Sequence, residues 1–135
     1  MQGLFRQVHA GVAWLLLAAI VVQVWLAGSA IPQLGGTGSF ETHRDVGYTI
    51  GIVTLALVLT ALAARVGRRR IGQALGLLVL YVVQSSLPYF DPSLPAVAAL
   101  HPVNAVLMAG MAFVYARAVW RQRSAPVTAA APATA

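Results

Sequence analysis

Two histidines, His43 and His101, are the residues of this chain best suited to chemistry. Each opens an apolar run, and each is followed at four-residue helical spacing by small residues: Gly47 and Gly51 below His43, Ala105 and Ala109 below His101. Neutral imidazole is a metal ligand, and the positive end of a helix dipole disfavours imidazolium. Haem iron takes two axial donors, one from each face of a flat plate that bulky side chains just below the ligands would obstruct. Glycine and alanine let such a plate lie close to the backbone. The expectation is therefore haem ligation by His43 and His101, lined by Gly47, Gly51, Ala105 and Ala109, with any propionates directed toward Arg44 and the exposed N–H groups of the helix starts.

The same residues have a plainer use. Gly47-x-x-x-Gly51 and Ala105-x-x-x-Ala109 are small-x-x-x-small patterns that membrane helices use to pack closely, and a histidine at a helix start can simply cap or sit among headgroups. Gln23 and Gln84 lie inside apolar runs, where an unpartnered amide costs on the order of 1–2 kcal/mol or more. They need partners: each other, a histidine ring nitrogen, or a bound ligand. Asn104 is placed to cap a helix end or join that network, and Pro102 suits the first helical position after His101. Glu41 and Asp45 flank His43 and are positioned to orient its ring, although acids in such loops are usually just solvated. His9 stands far from the other two histidines in sequence and is expected at an interface.

Four apolar stretches must position these groups, at about residues 10–31, 45–65, 71–89 and 98–117. Each is near the roughly 20 residues a helix needs to cross the hydrocarbon core. Composition agrees: 59% of the residues are hydrophobic and only 9% charged, far below the charge of a soluble domain. Cysteine is absent, which excludes disulfides and thiolate chemistry. The nine basic residues are all arginines, and eight of them fall before the first stretch, in the 65–70 turn, or after the last stretch. That is the positive-inside pattern and not a nucleic-acid stripe. Both termini are expected in the cytoplasm, with Glu41, Asp45 and Asp91 on the opposite side.

The fold expected is an all-α, up-down-up-down bundle of four transmembrane helices over residues 1–123, with a low-complexity tail over 124–135 that lacks the large apolar residues needed to fold. The first stretch also reads as a secretory signal ending in Leu-Ala-Gly-Ser-Ala30, but its length and Gln23 favour a retained helix. Val21-Val22-Gln23 and Val82-Val83-Gln84 are each followed by a helix end, a loop, a histidine and another helix. The two hairpins thus read as copies of one unit, with 20 residues from Gln23 to His43 and 17 from Gln84 to His101.

At Gln23-Val-Trp-Leu-Ala-Gly28, His43 with Gly47, and His101-Pro-Val-Asn-Ala105, the chain resembles a widespread group of small four-helix bacterial membrane proteins. At Glu41-Thr-His-Arg44 and His101 it more distantly resembles one four-helix half of haem A synthase, and that resemblance implies a b-type haem between His43 and His101. The chain has one residue between glutamate and histidine where haem A synthase has two, and it lacks the second bundle. Oxygenation is therefore not carried over. Homodimerisation is one way to restore two bundles.

The leading expectation is an inner-membrane, bis-histidine b-type cytochrome for electron transfer or haem handling, served by a redox partner. The alternatives are a haem-free accessory subunit of a membrane complex, and a small transporter or quinone-binding protein using Gln23 and Gln84. No nucleophile–base pair or buried pair of carboxylates is visible, so no enzyme class is indicated.

Overall fold

The computed structural model describes residues 1–123; the tail expectation lies outside them. The described chain is helical: α1 (Gln2–Ala30), α2 (Glu41–Ala63), α3 (Arg68–Ser86), a short α4 (Pro95–Ala98) and α5 (Leu100–Gln122), with 3-10 turns at Pro32–Leu34 and Leu87–Phe90. Four segments are long and apolar enough to cross a membrane: Gln2–Ala30, Glu41–Ala63, Arg68–Phe90 and Pro95–Gln122. The first begins eight residues before the apolar stretch does, at Gln2 and not at residue 10. Hydropathy marks where a helix is dry, whereas the hydrogen-bond ladder continues through polar residues until a breaker stops it. The last helix likewise runs past residue 117 to Gln122, because arginine is a good helix former whose stem can follow the apolar surface.

Side-chain bonds set the direction of each neighbour. Gln2, His9 and Gln23 of α1 reach Ala64, Thr60 and His43 in turn, so α1 and α2 run antiparallel. Gln84 and His101, and Asn104 and Leu80, do the same for α3 and α5. Helix α1 packs on α2 and α5, and α3 packs on α2 and α5, which leaves α2 and α5 at opposite corners of the bundle.

Alanines recur in the interior, beside the buried Leu16, Leu57, Leu77 and Tyr115. Ala10, Ala13, Ala61, Ala74, Ala112 and Ala116 are buried, while Trp25, Ile52, Leu59, Val79, Val106 and Val114 are exposed. Small residues let helix backbones approach, and a surface of exposed valine and leucine suits lipid as solvent. The core is also uneven. Its buried members run from Ala10 to Ile20 on α1, Ile50 to Ala61 on α2, and Met108 to Val119 on α5, so tight packing fills the half of the bundle nearer the 64–67 turn. That half ends in arginines; the other half, which carries His43 and His101, ends in Glu41 at the start of α2 and in the loop bearing Asp91.

The long loop at the acidic end is anchored to α1. The N–H groups of Gly36, Thr37 and Gly38 donate to the carbonyls of Ile31, Ser29 and Ala30, at 2.9, 3.2 and 2.9 Å. A side chain at position 36 would sit 2.5 Å from the Ser29 carbonyl, so only glycine fits this return. Carbonyls that a helix end leaves orphaned are satisfied by the loop itself.

Candidate histidine-pair site

Helices α2 and α5 approach the middle of the bundle from opposite corners and bring His43 and His101 together. Their ring centroids are 6.1 Å apart, with the planes at 70°. Both rings are half-buried.

Each ring is held by the same bond. Nδ1 of His43 lies 3.1 Å from the backbone carbonyl of Gln23, and Nδ1 of His101 lies 2.9 Å from the backbone carbonyl of Gln84. A carbonyl can only accept, so Nδ1 is the protonated nitrogen in both rings and Nε2 carries the lone pair. The glutamine of each pair also answers. The Gln23 amide donates to the His43 carbonyl at 2.9 Å, which locks α1 to α2 by a reciprocal pair of bonds.

Gln84 has a fuller set of partners. Asn104 donates to its side-chain oxygen at 2.7 Å and to the Leu80 carbonyl at 3.0 Å, fixing the amide so that its nitrogen faces His101. That nitrogen lies 3.1 Å from Nδ1 and 3.0 Å from Nε2. An atom on the axis of one lone pair would be much nearer one nitrogen than the other, so the amide lies off the Nε2 lone-pair axis. Among the described residues no hydrogen bond reaches Nε2 of His43, and the side-chain oxygen of Gln23 is buried without a donor.

The small residues below His43 are present but filled. A methyl group at Gly47 would lie 2.8 Å from the Gln23 amide, and one at Gly51 would lie 2.6 Å from the Tyr81 hydroxyl. These glycines admit Gln23 and the Tyr81 ring, where the sequence suggested a bare slot. Their spacing pointed to close approach, but nothing local identified the occupant. Ala105 and Ala109 are half-buried below His101. Arg44 is exposed and paired with its own neighbour Asp45 at 3.5 Å, an exposed contact of little energetic weight. Glu41 and Asp45 make no bond to the His43 ring among the described residues; Phe40 meets that ring edge-on, with centroids 6.1 Å apart. Pro102 is the third residue of α5 and not its first, still within the turn whose N–H groups have no helical partner.

His9 departs from expectation. It is 1% exposed, not interfacial. Its Nδ1 lies 2.9 Å from the Thr60 hydroxyl and its Nε2 lies 2.8 Å from the Tyr115 hydroxyl. Thr60 gives its only hydroxyl proton to the Ala56 or Leu57 carbonyl, so it accepts from His9, and Nε2 in turn accepts from Tyr115. Both ring nitrogens are thus committed to the packing of α1, α2 and α5. Its partners lie 51 and 106 residues away, and no local pattern signals them.

Comparison with known proteins finds one similarity. Residues 23–88, just under half of the chain, match a family of unknown function (DUF6220). The matched stretch takes in Gln23, His43, Gly47, Gly51 and Gln84 and stops before His101. No curated protein and no solved structure matches, and no link to haem A synthase emerges.

Proposed function

We propose that this protein is a small membrane cytochrome in which His43 and His101 are the axial ligands of one b-type haem. The observation that carries this reading is the imidazole pair 6.1 Å apart, each ring fixed through Nδ1 with Nε2 as its lone-pair nitrogen. An iron–nitrogen bond of about 2 Å on each side, plus about 1 Å from nitrogen to ring centre, asks for centroids about 6 Å apart. The donor set narrows the choice of metal. Among the described residues no group of three or more histidines, cysteines and carboxylates could hold an ion. Two imidazoles are too few for a structural zinc site, but they suffice when a porphyrin supplies the other four donors.

The chain's own part is to orient and to shield. Backbone carbonyls of Gln23 and Gln84 hold the two rings in one tautomer and make them better donors, as carbonyl partners do for ligating histidines generally. Haem, when bound, supplies one-electron transfer. The uneven core supports the location, since close packing stops short of the histidine level. The Gln84 amide and the Tyr81 ring must give way for the plate to enter. The matching Gln23–His43 and Gln84–His101 bonds favour two copies of one hairpin, and the arginine and acidic ends favour a bacterial inner-membrane orientation with both termini cytoplasmic.

A reduced-minus-oxidised spectrum of protein purified in mild detergent with haem supplied tests the proposal. An α-band that disappears in His43→Ala and in His101→Ala is expected. No band, or a band indifferent to both substitutions, rejects it.

A second reading rests on the filled glycine stripe. If Gly47 and Gly51 serve only to seat Gln23 and Tyr81, the protein is a haem-free accessory subunit: colourless, co-purifying with a membrane partner, and tolerant of both histidine substitutions. A separate reading, a small transporter or quinone-binding protein, rests on the undonated Gln23 oxygen, which suits a hydroxyl-bearing ligand such as a quinol whose stabilising effect would be lost in Gln23→Leu.

A further inference from the structure

We propose that a cavity between α3 and α5 binds an amphiphile with a phenolic hydroxyl head and an apolar chain, the chemistry of a membrane quinol. The cavity has a volume of about 480 Å³. Small-molecule sites of that size are mostly apolar, with a few polar groups converging at one place. Leu77, Val106 and Met111 line its length, and Gly110 leaves its wall open. From Val106 to Tyr115 it follows about 14 Å of helix at about 1.5 Å per residue, room for a ring and the first part of a chain.

Polarity is confined to one end. Asn104 of α5 is bonded to the Leu80 carbonyl of α3, and the two helices are antiparallel. Gln73, near the start of α3, and Tyr115, near the end of α5, therefore share the same end of the cavity. Arg70 and Arg117 stand within a helical turn of them, so both groups lie just inside the arginine end of the span. A neutral head suits that depth, because an ion taken there loses its hydration.

The bonds these two groups already make decide what each offers a ligand. Arg70 donates to the Gln73 side-chain oxygen at 2.7 Å, so the part of that amide available to a ligand is its nitrogen, a donor. The Tyr115 hydroxyl gives its proton to Nε2 of His9 at 2.8 Å, so toward a ligand its oxygen only accepts. Tyr115 is 2% exposed, which makes that acceptor a buried one. A group that accepts from Gln73 and donates to Tyr115 at once is a hydroxyl. The carbonyl of an oxidised quinone can take the Gln73 bond alone, so the site favours the reduced form. It stands at the opposite end of the bundle from Gln23 and His43 and requires neither.

Full-length protein in nanodiscs is titrated with tritiated 2-decyl-1,4-hydroquinone, with the uptake of empty nanodiscs subtracted. The corresponding benzoquinone and the hydroquinone dimethyl ether are measured in the same way. Saturable binding of the hydroquinone is expected, about five- to tenfold tighter than either analogue, the effect of one hydrogen bond. A methyl group at Gly110 would meet nothing within 4 Å, so Gly110→Phe can enter the cavity without displacing the core and should abolish binding. Gln73→Leu should weaken it about five- to tenfold. Ile52→Phe, which adds bulk to an exposed position of α2, and Gln23→Leu should leave it unchanged. Thermal unfolding confirms that each variant is folded. No saturable binding, equal binding of either analogue, indifference to Gln73→Leu, or equal loss in Ile52→Phe overturns the proposal. Loss in Gln23→Leu with retention in Gly110→Phe also overturns it and moves the quinol to the histidine end.

Discussion

The two ends of the bundle use histidine in opposite ways. Toward the arginine end, His9 is enclosed and spends both ring nitrogens on hydroxyl groups, so it acts as a three-helix bolt with nothing left over. Toward the acidic end, His43 and His101 spend only Nδ1 in well-directed bonds, in a looser part of the bundle where one glutamine oxygen has no donor. Burial alone therefore does not tell these two kinds of histidine apart. What separates the two cases is how completely the surrounding groups satisfy the ring.

That contrast can be broken most sharply by spectroscopy. His43→Ala and His101→Ala are each expected to remove the haem α-band entirely, whereas His9→Leu should leave its position and shape unchanged in protein that remains folded. Equal loss from all three would erase the distinction. The next largest effect runs the other way: His9→Leu should lower stability by about 1–3 kcal/mol by stranding the Tyr115 hydroxyl proton and removing the donor to the Thr60 oxygen, with Tyr115→Phe costing about 1 kcal/mol. Unfolding in graded denaturing detergent reads both.

Within the acidic end the two glutamines should separate. Gln84 binds Asn104 and faces His101, while Gln23 carries an unsatisfied oxygen, so Gln84→Leu should cost about 1 kcal/mol and Gln23→Leu less than about half of that. The same unfolding measurement ranks them, and a reversed order would mean that the Gln23 oxygen has a partner of its own. Smallest of all, Gly51→Ala pushes on the far end of the Tyr81 ring, which can swing aside. A double-mutant cycle with Tyr81→Leu should show coupling of about 0.5 kcal/mol; zero coupling would mean the ring already leaves the glycine.

Much of this architecture could be read from residue types alone. Hydropathy located four helices, because that signal is local; the recurrence of glutamine ahead of a loop and a histidine marked Gln23 and Gln84 as amides in need of partners but left those partners open, and the bonds that hold the rings run instead to the main chain of the same two residues. Helix ends were less legible: α1 continues through Gln2–Val8 since a ladder of backbone bonds does not require apolar side chains. His9 was misplaced for the same reason, as an early histidine in a mixed stretch looks interfacial until helix α1 is extended beneath it. The occupants of the small-residue stripe were not legible either. Spacing at Gly47 and Gly51 says that something comes close, but the atoms that do so belong to α1 and α3 and are fixed only by packing.

The bond that orients each imidazole ends on main chain and not on side chain. Every amino acid carries that oxygen, so ring orientation is buffered against mutational drift at positions 23 and 84. A designer wishing to transplant this device needs only a histidine facing the carbonyl of a neighbouring antiparallel helix; whatever keeps glutamine at those two positions is a separate requirement, open to redesign independently of the ring.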